Sequence, residues 1–150
     1  MLALLLLTGC AAGRDAATTQ IKQVTDGVEG EVGNIKIRNL MLVAQPNGSA
    51  VVVGTVLNTG ATADGLAGIT ANGMAVTITA TSLSLVQNVP IIFEGARATA
   101  IGKLDKLSAP AGSRVFATLT FTSGAKITLN LMIRESDGIF ASDINGNAGH

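Results

Sequence analysis

The sequence predicts an all-β protein, an antiparallel sandwich of two sheets, and three observations lead to that prediction. Between residues 31 and 135, apolar residues recur with a period of two, which is typical of strands with one buried face. No segment shows the apolar stripe of a helix, which has a period of 3.6 residues. Gly, Asn and Pro separate the apolar runs at the short spacing of a sandwich. The 150 residues, of which only 13% are charged, are enough for one domain with its own core.

The first two strands of the predicted domain differ in pattern. Apolar residues alternate at Ile35 and Ile37 and then continue at Leu40 and Leu42 on the opposite parity, so we expect a bulge near Asn39. The next run, AVVVGTVL at positions 50–57, is apolar at nearly every position and predicts a central strand. The turn-forming residues at 58–60 end it.

The later strands are shorter, apart from the final pair. Residues 74–79 alternate between apolar and polar side chains, and the groups near 83–85 and 89–93 predict short strands. Residues 115–121 and 127–133 carry apolar side chains at every second position, and the loop at 122–125 joins them as a hairpin. Residues 136–150 lose the period and predict a flexible polar tail.

The N-terminal residues predict a targeting signal that is not part of the folded domain. The six aliphatic residues at 2–7 are too few to span a bilayer, since a spanning helix needs roughly 20. The run Leu7-Thr8-Gly9-Cys10 resembles the lipobox of bacterial lipoproteins, in which the cysteine is acylated and the chain is cut just before it. This resemblance implies a signal-peptide remnant at 1–9, a covalent lipid on Cys10 and a flexible tether over 10–30. A buried or frayed segment with an unmodified cysteine is the alternative. Since a basic n-region is missing, we also expect the true start codon upstream of Met1.

Composition and motifs argue against nucleic-acid binding and against catalysis. Ten basic and ten acidic residues cancel, and no basic stripe with interleaved aromatics is present. The one histidine, His150, ends a glycine-rich tail, and the carboxylates are scattered among loops, so no acid–base pair is predicted. No motif for zinc, calcium or phosphate occurs. We therefore expect neither an enzyme, nor a nucleic-acid partner, nor a small-molecule substrate.

One stretch of the domain carries a family resemblance. Residues 51–69, VVVGTVLNTGATADGLAGI, resemble the start of the periplasmic copper chaperones of the PCu(A)C type, with matches at Asn58, Gly60, Asp64, Leu66 and Gly68. The segment 112–129 is similar to the last hairpin of that family. The resemblance covers residues 35–134 and implies a cupredoxin-like or immunoglobulin-like sandwich.

The copper ligands of that family are missing from this chain. They are a His and a Met after the third strand and a His-x-Met before the final hairpin, and soft thioether and imidazole ligands suit Cu(I). Where the second motif is expected, residues 94–100 read EGARATA. Met74 lies near the first motif and is a weak metal candidate, because an isolated Met beside an alternating strand is more often core filling. We therefore expect no metal and no cofactor beyond the lipid on Cys10.

Lipobox, tether and ligand-free domain together resemble the actinobacterial LpqE-type lipoproteins. Some of these are accessory subunits on the outer face of the cytochrome bcc–aa3 respiratory supercomplex. The resemblance implies a non-enzymatic lipoprotein on the outer, periplasmic side of the cell membrane that docks on an integral membrane complex. Its docking candidates are Glu94, Arg97, Lys103 and Asp105, with predicted exposed loops at 61–68 and 95–106, although such charges also serve solubility.

Two other functions remain as alternatives. The first is a copper metallochaperone with a degenerate site that delivers Cu(I) to cytochrome oxidase, using Met74 and an unconventional ligand. The second is an enzyme that works with carboxylates alone.

Overall fold

The computed structural model describes residues 27–137, and this part of the chain is built from eleven β-strands. Within residues 27–137, no helix has the length and apolar character needed to cross a membrane. The strands are β1 (Val28–Val32), β2 (Ile35–Ala44), β3 (Ala50–Asn58), β4 (Asp64–Ala71), β5 (Met74–Ala75), β6 (Thr77–Ala80), β7 (Ser84–Leu85), β8 (Ile91–Ile92), β9 (Ala100–Leu104), β10 (Arg114–Phe121) and β11 (Lys126–Glu135).

The strands form two layers that β11 joins. Neighbours follow the order β5-β4-β10-β11-β2-β3-β9-β6, with β1 beside β2, β7 beside β4 and β8 beside β3. β11 pairs with β10 along most of its length, and then its last residues, Ile133–Glu135, pair with Leu42–Ala44 of β2. The sandwich prediction is confirmed, and the strand pairs are antiparallel except this one, which is parallel.

The main core lies between the two layers and follows the predicted period of two. Along β10 the buried and more exposed residues alternate, and in the final hairpin Phe121, Leu119, Leu131 and Ile133 are almost wholly buried. Burying each such side chain contributes about 1.5–3 kcal/mol. The predicted hairpin is confirmed, with β10 and β11 in register from Arg114↔Met132 to Thr120↔Lys126.

The predicted bulge in β2 is confirmed at Asn39. Its backbone is left-handed, with φ of 51°, and the β2–β3 register shifts between Arg38 and Met41. Gly54 lies opposite on β3 with φ of 137°, and a Cβ there would lie 2.9 Å from the Cα of Leu40 and 3.0 Å from the carbonyl oxygen of Arg38. The bulge therefore requires glycine at position 54.

Three segments differ from the prediction. β1 overlaps the end of the predicted tether and the start of the predicted domain, β4 overlaps the predicted 61–68 loop, and β9 lies inside the predicted 95–106 loop. β1 and β4 carry few large apolar residues, and β4 shifts register between Gly68 and Leu66, which interrupts the alternation. The predicted strand 74–79 is divided into β5 and β6 at Val76. Cys10, the tether up to residue 26 and the tail from residue 138 lie outside the described residues.

Replacing Gly54 tests how strongly the bulge depends on glycine. Gly54→Ala is expected to lower the free energy of unfolding by about 2–4 kcal/mol, because the methyl group adds backbone strain and presses on β2. Urea denaturation measures the change. Gly68→Ala is the matched control, because a Cβ at Gly68 meets no atom within 4 Å. An equal loss in both variants would contradict the role of the bulge.

Candidate functional site

Asn58 holds together the loops at one end of the sandwich. It ends β3 and is buried, and its Nδ2 donates to the carbonyl oxygens of Thr62 at 2.8 Å and Leu85 at 2.9 Å. Its side-chain Oδ1 accepts a hydrogen bond from the backbone N–H of Gly60 at 2.8 Å. The backbone carbonyl oxygen of Asn58 accepts one from the backbone N–H of Asn88. Without the side-chain amide, the carbonyl groups of Thr62 and Leu85 and the N–H of Gly60 would each lose a hydrogen bond, so the side chain fixes the turn after β3 and the segment around β7.

Asp64 connects the start of β4 to the hairpin loop between β10 and β11. Its Oδ1 accepts from the hydroxyl of Thr122 at 2.8 Å and from the backbone N–H groups of Gly65 at 2.8 Å and Ser123 at 3.0 Å. Its Oδ2 accepts from the hydroxyl of Ser123 at 2.6 Å. Both oxygens are thus occupied by donors of the protein itself.

The ionisation of Asp64 follows from these contacts. Partial burial raises the pKa of the carboxyl group, but the side-chain donors of Ser123 and Thr122 and the backbone N–H groups of Gly65 and Ser123 outweigh it and lower the pKa from 3.8 to about 2. A general acid needs a raised pKa, so this carboxylate is arranged to accept hydrogen bonds and not to release a proton near neutral pH.

The other three motif residues differ in how closely they are packed. Leu66 is buried in the main core, and Gly68 faces Thr120 of β10. A Cβ at Gly60 would lie 2.5 Å from the Nδ2 atom of Asn34, so the two loops meet closely there. Asn58, Gly60, Asp64 and Leu66 therefore hold this end of the fold together, whereas a Cβ at Gly68 would meet no atom within 4 Å.

The charged docking candidates occupy neighbouring segments at the side of the domain. Glu94 and Arg97 lie in the turn between β8 and β9. Two backbone hydrogen bonds close this turn: the N–H of Ala98 donates to the carbonyl of Gly95, and the N–H of Thr99 donates to the carbonyl of Ile92. Lys103 lies on β9, and its Nζ is 3.8 Å from the Oδ1 atom of Asp105. Both side chains of this pair are exposed, so the pair contributes about 0–1 kcal/mol to stability.

The metal candidate and the segment 94–100 are both part of the folded framework. Met74 on β5 is half-buried and packs against the main core. In the 94–100 segment the hydroxyl of Thr99 accepts from the N–H of Ile92 at 2.9 Å. Within residues 27–137, no group of three or more His, Cys, Asp or Glu residues is placed to hold a metal ion.

Four exposed apolar side chains were not among the predicted site residues. Val86 and Val89 flank a turn beside Asn58, where the N–H of Val89 donates to the carbonyl of Val86 and the Nε2 of Gln87 donates to Thr59. We call Val86 and Val89 the apolar tip; they are 48% and 55% exposed. Phe116 and Ile101 are exposed on outer sheet faces. Phe116 could have been identified from the sequence, because the residues two positions before and after it, Arg114 and Thr118, are polar. A large apolar residue on the polar side of a strand is expected to be exposed.

Comparison with known proteins identifies the fold. No protein-family model and no curated protein matches the chain. Among solved structures, a copper-bound PCuAC domain from PmoF2 is similar, with a TM-score of 0.60, 22% identity, and coverage of 72% of this chain and 98% of that one. The domain has a PCuAC-like fold. An apo PCuAC domain from PmoF1 is similar with a TM-score of 0.59 at 22% identity, covering 72% of this chain and 99% of that one.

A third PCuAC-like comparison agrees with the first two. The apo PmoF2 PCuAC domain has a TM-score of 0.62 at 20% identity and covers 74% of this chain and 98% of that one. The PCuAC-like fold predicted from residues 51–69 and 112–129 is confirmed. Identities this low establish likeness of fold alone.

The stability contribution of Asp64 is expected to depend on pH. Because its folded pKa of about 2 lies below 3.8, the stabilisation is complete above about pH 5 and is lost as the pH falls from about 4 to 2. Asp64→Asn should therefore be less stable than the wild type by about 1–2 kcal/mol near neutral pH, after allowance for solvent screening. Urea titrations from about pH 7 to pH 2 should show this difference shrinking, and a constant difference would contradict the assignment.

Proposed function

We propose that this protein is a non-enzymatic lipoprotein on the outer face of the cell membrane, whose PCuAC-like domain docks on an integral membrane complex. The cytochrome bcc–aa3 supercomplex is the partner suggested by the resemblance to LpqE-type lipoproteins. One observation carries the proposal. The fold is that of PCuAC domains, while the segment 94–100 forms a hydrogen-bonded turn without a His or a Met.

The apolar tip supports a docking role for the loop end. Val86 and Val89 present exposed methyl groups on a turn that the Asn58 hydrogen bonds hold in place. Exposed apolar groups on a rigid support are suited to the dry centre of an interface, where anchoring side chains contribute most of the binding energy. Charged side chains such as Arg97, Lys103 and Asp105 are suited to a polar rim, where they affect association rate and specificity.

The state of Asp64 supports a role without catalysis. The hydrogen bonds that its carboxylate accepts lower the pKa of Asp64 to about 2. Its hydrogen-bond partners belong to the domain's own loops, at Gly65, Thr122 and Ser123. A lowered pKa and a full set of internal donors serve structure, because acid–base catalysis requires a group tuned near the working pH.

The lipid anchor in this proposal rests on the Leu7–Cys10 motif. One acyl chain binds membranes only marginally, and the multiply acylated cysteine of lipoproteins supplies stable attachment. With its upstream signal, Cys10→Ser protein is expected in the soluble fraction with its domain folded. Retention in the membrane fraction through a high-salt wash would contradict the anchor.

Affinity purification from native membranes tests the docking role. The tagged wild type is expected to recover integral membrane subunits, and Val86→Asp combined with Val89→Asp should reduce that recovery by roughly tenfold or more, because charge enters a dry interface. Phe116→Asp is the matched control, since Phe116 is exposed on a different surface, on the outer face of β10. Wild-type protein that recovers no integral subunit would contradict the docking role, and loss in the Phe116 variant alone would contradict the assigned surface.

The second candidate function is Cu(I) transfer to cytochrome oxidase. It is favoured by the similarity to a copper-bound PCuAC domain. Met74 supplies the candidate thioether, which suits Cu(I). Our leading proposal predicts that competition titration with a Cu(I) chelator detects no stoichiometric binding in the wild type. Binding of one equivalent that Met74→Leu abolishes would instead establish the chaperone function.

A further inference from the structure

Two Asn-Gly pairs lie in turns of the described chain, and their surroundings differ. Asn47-Gly48 lies in the loop between β2 and β3, and Asn72-Gly73 joins β4 to β5. In such a pair the backbone nitrogen of glycine can attack the side-chain carbonyl carbon of asparagine, because glycine has no side chain that hinders the approach. The outcome is deamidation, in which the side chain loses ammonia.

The carboxamide oxygen of Asn47 accepts hydrogen bonds from two donors of Ser49. Its Oδ1 accepts from the hydroxyl of Ser49 at 2.7 Å and from the backbone N–H of Ser49 at 3.1 Å. Asn47 is exposed, whereas Ser49 is buried. The bond to the backbone N–H closes an Asx turn, in which the side chain hydrogen-bonds the chain two residues further on. The carboxamide of Asn47 is therefore turned toward the peptide that follows it, and its oxygen is polarised.

Donors at this oxygen favour attack by the Gly48 nitrogen. When that nitrogen adds to the Cγ atom of Asn47, the carboxamide oxygen becomes an oxyanion in a tetrahedral intermediate. Hydrogen-bond donors already placed where this charge develops stabilise the intermediate and lower the barrier. The N–H of Gly48 donates to the carbonyl oxygen of Gln45 at 3.0 Å. Gly48 is exposed, so its proton passes to water when that bond opens.

The carboxamide of Asn72 is held through its nitrogen instead. Its Nδ2 donates to the hydroxyl of Ser108 at 2.6 Å, and no residue within 27–137 donates a hydrogen bond to its Oδ1. Asn72 and Gly73 form a two-residue hairpin turn, closed by the pair Ala71↔Met74, and both have a left-handed backbone, with φ of 48° and 78°. The nitrogen that would leave is thus restrained, and the oxygen that would take the charge receives no help.

We propose that Asn47 is a site of spontaneous deamidation in the folded protein, while Asn72 is protected; this goes beyond the proposed function. The Gly48 nitrogen gives up its proton and bonds to the Cγ atom of Asn47, and the bond from Cγ to Nδ2 breaks, so that ammonia leaves with a proton taken from water. Water then adds across one C–N bond of the succinimide ring and leaves aspartate or isoaspartate. Aspartate keeps an acceptor for both Ser49 donors, whereas isoaspartate adds one carbon to the backbone of the β2–β3 loop.

Peptide mapping of the full-length protein by mass spectrometry follows both sites in one sample. In native, mildly alkaline buffer, Asn47 is expected to deamidate roughly fivefold or more faster than Asn72, because its oxygen has donors placed to stabilise the intermediate. In concentrated urea the two Asn-Gly pairs should react at similar rates, since no turn persists there. A native rate at Asn47 that does not exceed the rate at Asn72 would overturn the proposal. So would the same excess in urea, which would trace it to the neighbouring sequence.

Two serine variants test what the hydrogen bonds do. Ser49→Ala removes the hydroxyl donor and should slow the reaction at Asn47 by roughly threefold or more, with Asn72 unchanged. Ser108→Ala is the matched control, because it releases the amide of Asn72 and should accelerate that site alone. Unchanged or faster reaction at Asn47 in folded Ser49→Ala protein would overturn the activation by Ser49. If Ser49→Ala protein unfolds, both sites accelerate together, and the comparison of the two sites in the wild type decides.

Discussion

The edge of β2 is the constraint on which the rest of the fold depends. Two strands share it: β1 pairs with its first half and the end of β11 with its second half. The change of partner coincides with the bulge at Asn39, where the left-handed backbone shifts the register and Gly54 makes room on the opposite strand. Because β11 otherwise pairs with β10, this shared edge brings the two layers into one continuous sheet.

The residues that make this chain resemble copper chaperones are the ones that hold its loops. Asn58 ties the end of β3 to β7, and Asp64 ties β4 to the final hairpin. Neither interaction involves a metal or a substrate. Both interactions join groups of the domain itself, so they stabilise the PCuAC-like fold independently of what its loops bind. Function in such a fold depends on what the loops present, and here the described loop end presents the apolar tip.

The sequence predicted the parts of the fold that depend on local patterns. The change of parity from Ile37 to Leu40 placed the bulge, and strict alternation placed the β10–β11 hairpin. β4 escaped prediction because Gly65, Ala67 and Gly68 weaken its alternation and its register shifts. The parallel pairing of β11 with β2 joins residues far apart in the chain, and no local pattern specifies it.

The sequence predicted which residues belong to the candidate site, but not the contacts that they make. The family resemblance selected Asn58 and Asp64, but two of the residues that donate to Asp64, Thr122 and Ser123, lie 58 and 59 residues further along the chain. Their convergence depends on the pairing of β4 with β10 and so requires the complete fold. The apolar tip was missed because Val86 directly follows Leu85 and Val89 begins the group 89–93, so both residues were grouped with the predicted short strands.

Native-state hydrogen exchange, read residue by residue, tests the central role of β2 most directly. If the shared edge joins the layers, amides of β2, β3 and residues 133–135 should be the slowest to exchange and should open only with global unfolding, while those of β5 and β7 exchange earlier. Exchange of residues 133–135 at the rate of the short edge strands, with β10 still protected, would show that the layers separate without unfolding. That result would contradict the central role of β2.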